Sequence, residues 1–125
     1  MKQGTGLWKL SGANTYSGGT RISQGTLVLG NAAALGTGSL TISPGATLDV
    51  SSGVTFPAWP AIWSGSLTFL GSSALNISSG SAALSASSTV TVVAGSLTVG
   101  NISGSAALTK DGAGTLVLSG TNTYT

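Results

Sequence analysis

The sequence lacks the side chains on which most enzymes and metal sites depend. Its 125 residues include no cysteine and no histidine, and the only side-chain carboxylates are Asp49 and Asp111. Without thiolates, imidazoles or a carboxylate cluster, the chain has no disulfide framework and none of the usual ligand sets for a metal. Its many serines have no base to activate them as nucleophiles. We therefore expect no catalytic residue, no metal site and no cofactor.

Charge is also scarce. Charged residues make up 5% of the chain, against about 25% in an ordinary globular domain. The net charge is +2, from the scattered cations Lys2, Lys9, Arg21 and Lys110. Such a distribution provides no basic surface that could follow a phosphate backbone, so we expect no nucleic acid partner. The hydrophobicity is too high for a disordered chain, and we expect a folded one.

Long apolar runs are missing as well. No stretch approaches the roughly 18 to 20 apolar residues of a membrane-spanning helix. The N-terminus passes from MKQ directly into GTG without the apolar segment of a signal peptide. We expect no membrane insertion by this segment and expect any targeting signal to lie outside it.

Short runs of alternating apolar residues are the dominant pattern that is present. In GTLVLG (residues 25–30), Leu27 and Leu29 point to one face of a strand and Thr26 and Val28 to the other. Nearly every such run is bounded by Gly, Ser, Asn or Pro, which end strands and form turns. The alternation therefore predicts an all-β fold, and it recurs at Leu40/Ile42, Leu48/Val50, Leu67/Phe69, Leu75/Ile77, Val90/Val92, Leu97/Val99 and Leu116/Leu118.

The spacing of these runs distinguishes between all-β architectures. Leucines recur at positions 27, 48 and 67, and again at positions 75, 97 and 116. Their separation of roughly 20 residues fits one coil of a parallel β-helix with two or three strands per coil. An antiparallel sandwich, with strands about every 8 to 12 residues, is not excluded by the shorter steps alone. We predict a right-handed parallel β-helix (solenoid) of about five to six coils.

Two segments interrupt the pattern. FPAWPAIW (residues 56–63) contains two prolines, which cannot donate to a central ladder, so we predict a Pro/Trp-rich loop excursion near 56–63. Its Trp59 and Trp63, together with Trp8, are candidate binding residues, because an exposed tryptophan stacks on sugar rings and anchors protein partners. The alternative is that the loop folds its tryptophans against the coil wall. In GSAALSASS (residues 80–88), small residues indicate a narrower coil or a thin-walled turn.

The chain begins and ends with two copies of one motif. KQGTGLWKLSGANTY (residues 2–16, the first copy) and KDGAGTLVLSGTNTY (residues 110–124, the second copy) are identical at nine of fifteen positions. Self-similarity of this kind is typical of repeat architectures, whose units bury their apolar faces against their neighbours. We expect the glycines to form turns and the asparagines to bond to turn backbone or to neighbouring coils. The structural motif residues are Gly12, Asn14, Tyr16, Gly18, Gly19, Gly112, Gly114, Gly120, Asn122 and Tyr124.

The motif resembles a known family. GANTYSGGTRISQGTLVLGNAAALGTG (residues 12–38), together with the second copy, closely resembles the autotransporter-associated β-strand repeat, also called the passenger-associated transport repeat. The signature covers residues 2–42 and 110–125, while residues 43–109 keep the strand pattern as divergent coils. Leu7-Trp8-Lys9 departs from the family, because the second copy has the more usual Thr115-Leu116-Val117 there. We therefore expect Trp8 at an altered end coil.

The resemblance implies a right-handed β-helical passenger domain of a Gram-negative protein that is secreted or displayed at the outer membrane. In that family the repeat is associated with export and with an extended stalk that displays other modules. We expect residues 1–125 to be a single β-helix segment, a fragment of a longer passenger domain. Its expected function is that of a non-enzymatic structural stalk segment that assists folding and secretion. The expected partners are flanking repeats of the parent chain, or a second copy joined end to end.

Two other functions stay open. An adhesin-type binding module would use the aromatic loop to contact a glycan or a host surface protein. A polysaccharide-cleaving enzyme would need a carboxylate pair, but Asp49 and Asp111 lie far apart in the sequence. Their separation corresponds to about three coils, or about 14 Å, which is too far for the usual pair. We expect instead a solvated Asp49, a turn at Asp111 and a rim position for Arg21.

Overall fold

The computed structural model describes residues 1–52, 54–57 and 59–125. Within them the chain is all-β, with thirteen strands joined by turns and no helix. The strands are β1 (Leu7–Leu10), β2 (Thr20–Ile22), β3 (Thr26–Leu29), β4 (Leu40–Ile42), β5 (Thr47–Val50), β6 (Val54–Thr55), β7 (Pro60–Trp63), β8 (Leu67–Phe69), β9 (Leu75–Leu84), β10 (Ser88–Val92), β11 (Ser96–Ser103), β12 (Leu108–Asp111) and β13 (Thr115–Leu118).

Strand pairing in the described part of the chain is parallel throughout. One sheet has the order β1-β3-β5-β8-β10-β12, and the other has the order β13-β11-β9-β7-β4-β2, with β6 paired to β9. Neighbours within a sheet are separated in sequence by a strand of the other sheet, so the chain winds instead of folding back. The predicted all-β parallel solenoid is confirmed, with about five turns.

The register shows why the sequence winds with this period. Leu27 pairs with Leu48, and Leu48 pairs with Phe69, so an inward position recurs one coil later. The same column begins at Trp8, which pairs with Leu27. Leu27, Leu48 and Phe69 are buried in one continuous hydrophobic cluster. Each such side chain contributes about 1.5–3 kcal/mol by its burial, so the columns hold the coils together.

In the later coils, the two longest strands change their pairing along their length. β11 pairs with β9 at residues 97–99 and again at 101–103, with a register shift between Val99 and Asn101. The first half of β9 stacks with β6 and that of β11 with β13, whereas the second half of β9 stacks with β7. In the first coils the segments that lead into β2 and β4, residues 11–19 and 30–39, contain turns but no strand.

The excursion predicted near 56–63 is shorter than expected. Residues 60–63 form β7, which lies between β4 and β9 in the seven-stranded sheet. Pro60 is the first residue of that strand, a position at which a missing backbone N–H is tolerated. Phe56 and Trp59 turn inward, with ring centroids 4.6 Å apart. Ala58, between them, lies outside the described residues.

The small residues at 80–88 complement these aromatic rings. Ala82 pairs with Ala61 of the preceding coil, and both side chains are buried. Two small residues at stacked inward positions leave interior space, and Trp59 and Trp63 line the same apolar interior cavity as Ala61. The small side chains at 61 and 82 therefore stack directly on each other, two residues before Trp63 and Leu84, which form the next inward pair.

Candidate functional site

The three tryptophans proposed for binding lie in two different environments. Trp63 is 1% exposed and Trp59 is 5% exposed, so neither ring is presented at the surface in this arrangement. The Trp59 indole donates to the Gly36 carbonyl at 3.3 Å. Trp8 is 41% exposed on β1, near the exposed side chains of Met1 and Leu7. A binding role for the three residues stays a prediction, and only Trp8 offers a ring to an external partner as the chain is folded here.

The two copies of the motif occupy opposite ends of the solenoid and different walls. Five steps along the six-stranded sheet lead from β1, in the first copy, to β12, and β13, in the second copy, belongs to the other sheet. The first copy therefore contacts the coil that follows it, through β3. The second copy contacts the coil that precedes it, through β11.

The motif lysines hold the turn that opens each copy. Lys2 Nζ donates to the Gly4 carbonyl at 2.9 Å, and Lys110 Nζ donates to the equivalent Gly112 carbonyl at 2.7 Å. Lys2 Nζ also donates to the Gln24 carbonyl of the next coil at 3.1 Å, and Lys2 is buried. Lys110 is exposed. Sequence reasoning did not single out these lysines, although their identity in both copies was a usable signal.

The motif asparagines bond to neighbouring coils, as one of the two predicted arrangements requires. Asn14 Nδ2 donates to the Ala34 carbonyl at 2.6 Å, 20 residues ahead. Asn122 Oδ1 accepts from the Ile102 backbone N–H at 2.9 Å, 20 residues back. Both halves of the carboxamide are thus used between coils, the donor in one copy and the acceptor in the other.

The motif tyrosines pack beside these asparagines. The Tyr16 hydroxyl lies 2.6 Å from the Thr20 hydroxyl and donates to the Ala34 carbonyl at 3.3 Å. Tyr124 is half-buried against the hydrophobic cluster. Asn14 and Tyr16 therefore converge on one carbonyl of the following coil.

The motif glycines differ sharply between the copies. A Cβ at Gly114 would lie 2.5 Å from Val92 Cγ1, and a Cβ at Gly112 or Gly120 would collide with the backbone or side chain of the preceding coil. At Gly6 the same atom would meet none of the described residues within 4 Å, and at Gly12 it would meet Asn14 Oδ1 at 3.6 Å. Gly18 is similarly open, whereas Gly19 has a positive φ and packs against Ser39. Among these motif positions, a Cβ would be too close to another coil only where a neighbouring coil covers the glycine.

Asp49 is buried, so the expectation of a solvated carboxylate is wrong. Its two oxygens accept from the Ser72 backbone N–H at 3.0 Å and from the Ser72 hydroxyl at 2.6 Å. Alternation places Asp49 outward on β5, but the turn after β8 in the next coil covers it. Asp111 is exposed and accepts from the Gly112 N–H at 2.7 Å; it is the last residue of β12, and the turn follows it. Within the described residues no group of three His, Cys, Asp or Glu side chains is arranged to hold a metal ion.

Replacing Asp49 by alanine is expected to lower the free energy of unfolding by about 2 kcal/mol, because hydrogen bonds to a charged group contribute about 1.5–3 kcal/mol. The change leaves the Ser72 N–H and hydroxyl without their acceptor. Urea unfolding followed by circular dichroism measures the effect. Asp49→Asn, which keeps one acceptor oxygen, should lose less, whereas equal losses in the two variants would show that the acceptor is not what matters.

The fold and these contacts define a parallel β-solenoid segment with the same coil-stacking motif at each end. The family model for the Passenger-associated-transport-repeat matches residues 2–29 and 108–125, so the chain carries this repeat and the resemblance is confirmed. A relative, the Adhesin BmaC autotransporter of Brucella suis biovar 1 (strain 1330), is 38% identical over 125 residues, covering 96% of this chain and 3% of that protein. No solved structure matches.

The repeat and the relative together support the assignment of the chain to the passenger segments of autotransporters. Proteins of that type are exported by Gram-negative bacteria and are secreted or lie at the cell surface. The chain spans a very small part of the length of its relative. None of the described residues belongs to a helix long and apolar enough to span a bilayer.

Proposed function

We propose that this segment is a non-enzymatic structural stalk, displayed at the outer membrane, that helps its parent protein to fold and to leave the cell. The observation that carries the proposal is the continuous parallel pairing of successive coils. From the bridge between Lys2 and Ile22 to β13, each coil pairs in parallel with the next and adds to one core. Flanking repeats of the parent chain are the expected partners.

Stacking supplies a mechanism for assisting export. A coil that emerges from the cell meets a template whose strand edge and apolar column are already in place. Adding it buries residues such as Leu116 against Leu97 and completes the β11–β13 ladder. Because repeat stability is a sum of such neighbour interactions, each added coil makes backward movement of the chain less favourable.

Deleting residues 110–125 in the producing bacterium is expected to lower the amount of passenger outside the cell several-fold. The deletion removes the second copy of the motif and the surface on which a following coil would stack. Immunoblots of culture supernatant and of cells treated with external protease measure export. The matched control deletes residues 67–89, one coil between the paired positions Leu67 and Val90, which keeps both copies of the motif. Unchanged export on loss of residues 110–125 would contradict the proposal.

An adhesin-type binding module is the second candidate, supported by the name of the relative. A glycan or a host surface protein would then be the partner. Of the aromatic residues considered for binding, Trp8 has the exposed ring, whereas Trp59 and Trp63 lie in the core. Loss of cell adhesion in Trp8→Ala, with an unchanged far-UV circular dichroism spectrum, would favour this candidate over a purely structural role.

A further inference from the structure

The two copies of the motif show one set of contacts from opposite sides. The first copy is covered by a following coil, and a Cβ at its Gly6 or Gly12 would meet no described residue of another coil within 4 Å. The second copy is covered by a preceding coil, against which Gly114 and Gly120 pack tightly. The first copy therefore shows how the motif contacts a following coil, and the second copy shows how it contacts a preceding coil. Taken together, they describe the contacts of a motif that has a coil on each side.

We propose that residues 108–125 form a docking surface for one further coil with the sequence type of residues 18–38, and that Lys110 is the positioning residue that seats it. The proposal rests on the structural function proposed above, because it concerns the same stacking. It goes further by naming the surface, the kind of occupant and the polar groups that fix its register.

A comparison of β13 with β3, which has the same sequence, shows that a neighbouring strand covers β13 on one side only. β3 and β13 both read TLVL. β3 pairs with β1 on one side and β5 on the other, and its Leu27 and Leu29 are fully buried. β13 pairs with β11, its two leucines are half-buried, and Val117 is 40% exposed. In β3, where a second neighbour covers the same sequence, the two leucines and the valine are buried.

The lysine contacts identify what the second neighbour supplies. In the first copy Lys2 Nζ holds the Gly4 carbonyl of its own turn and the Gln24 carbonyl 22 residues ahead. In the second copy Lys110 Nζ holds the equivalent Gly112 carbonyl, and its other contact, at 3.3 Å, is to the carbonyl of the adjacent Asp111. The turn is already formed around the ammonium group. A following coil would replace the adjacent contact with the carbonyl that Gln24 provides to Lys2.

The asparagine contacts point to the same occupant. Asn14 Nδ2 bonds to the Ala34 carbonyl of the following coil. Asn122 Nδ2 instead bonds to the Gly120 carbonyl in its own turn at 3.2 Å. In the first copy, the acceptors of these two bonds are the Gln24 and Ala34 carbonyls, and both lie in residues 18–38. Lys110 and Asn122 bond to no counterpart of either carbonyl among the described residues. The segment that covers the first copy is therefore the template for what fits the second.

The test extends the full chain after Thr125 by the sequence of residues 18–38. With Thr125 in the place of Ser17, this segment then follows Tyr124 at the spacing at which it follows Tyr16. A scrambled extension of the same composition is the control. Amine acetylation with mass spectrometry compares Lys110 with buried Lys2 and exposed Lys9 in each protein. We expect the labelling of Lys110 to fall to the rate of Lys2 with the correct extension and to stay at the rate of Lys9 with the scrambled one.

A second measurement examines the positioning role. Lys110→Met should raise the unfolding equilibrium constant roughly tenfold or more in the extended chain, since hydrogen bonds from a charged donor are lost. It should change it little in the original chain, and Lys110→Arg should retain most of the stability. Equal labelling with both extensions, or equal effects of Lys110→Met in both chains, would overturn the proposal. Export measured with the deletion of residues 110–125 is independent, so either proposal can fail alone.

Discussion

Replacing Trp63 by alanine is expected to lower the free energy of unfolding by about 3–5 kcal/mol. The side chain is 1% exposed and occupies a column between Ile42 of the preceding coil and Leu84 of the following one. Removing the ring leaves a cavity, and both neighbours lose their packing partner. Small domains have a total stability of about 5–15 kcal/mol, so the variant should lose a large share of its stability.

Phenylalanine at the same position keeps an aromatic ring but removes the indole N–H. The Trp63 Nε1 is buried without a hydrogen-bond partner among the described residues. A buried donor without an acceptor costs about 1–3 kcal/mol, so Trp63→Phe recovers that cost while it loses part of the ring volume. We expect its net destabilisation to be less than half that of the alanine variant. Both substitutions remove the N–H, so equal destabilisation by the two would show that packing of the aromatic ring does not carry the effect.

Trp8→Ala is the matched surface control for the alanine variant. Trp8 is 41% exposed at the edge of the first coil, so its loss should cost about 1 kcal/mol or less. Urea unfolding followed by far-UV circular dichroism avoids the fluorescence change caused by removing a tryptophan. If Trp63→Ala cost no more than Trp8→Ala, the interior position of Trp63 would be wrong.

The solenoid could be predicted because its determinants are short-range in sequence. Alternation within GTLVLG fixes which side chains face inward, and the recurrence of leucine one coil later places Leu48 over Leu27. The structure confirms this pairing. Both signals are visible without knowing any contact.

What could not be predicted depends on the neighbouring coil. Asp49 points outward as alternation requires, yet a turn 23 residues later supplies both of its partners. Pro60 indicated a loop, but as the first residue of β7 it needs no ladder N–H. Trp59 and Trp63 pack inward beside small residues at 61 and 82. The sequence does not show that these two small residues stack on each other, because that requires the register between coils.

Alanine at Gly120 is expected to destabilise the chain by about 1–3 kcal/mol, while alanine at the equivalent Gly12 should be neutral or stabilise it by about 0.4–1 kcal/mol. A Cβ at Gly120 would collide with Asn101 and the adjacent backbone, and that backbone belongs to a paired strand that cannot easily shift. A Cβ at Gly12 meets one side-chain oxygen at an ordinary contact distance, and the substitution reduces the freedom of the unfolded chain. The same chemical change at equivalent positions should therefore have opposite signs.

A second matched pair tests whether the preceding coil is the cause. Gly114→Ala places a methyl group 2.5 Å from Val92 Cγ1 and should destabilise, whereas Gly6→Ala enters open space. Urea midpoints of the four single variants give the comparison, with unchanged slopes as the check that unfolding remains the same transition. Equal effects within both pairs would mean that the glycines serve only their local turns. Opposite effects would mean that the preceding coil, which packs against Gly114 and Gly120 but not against Gly6 and Gly12, causes the difference.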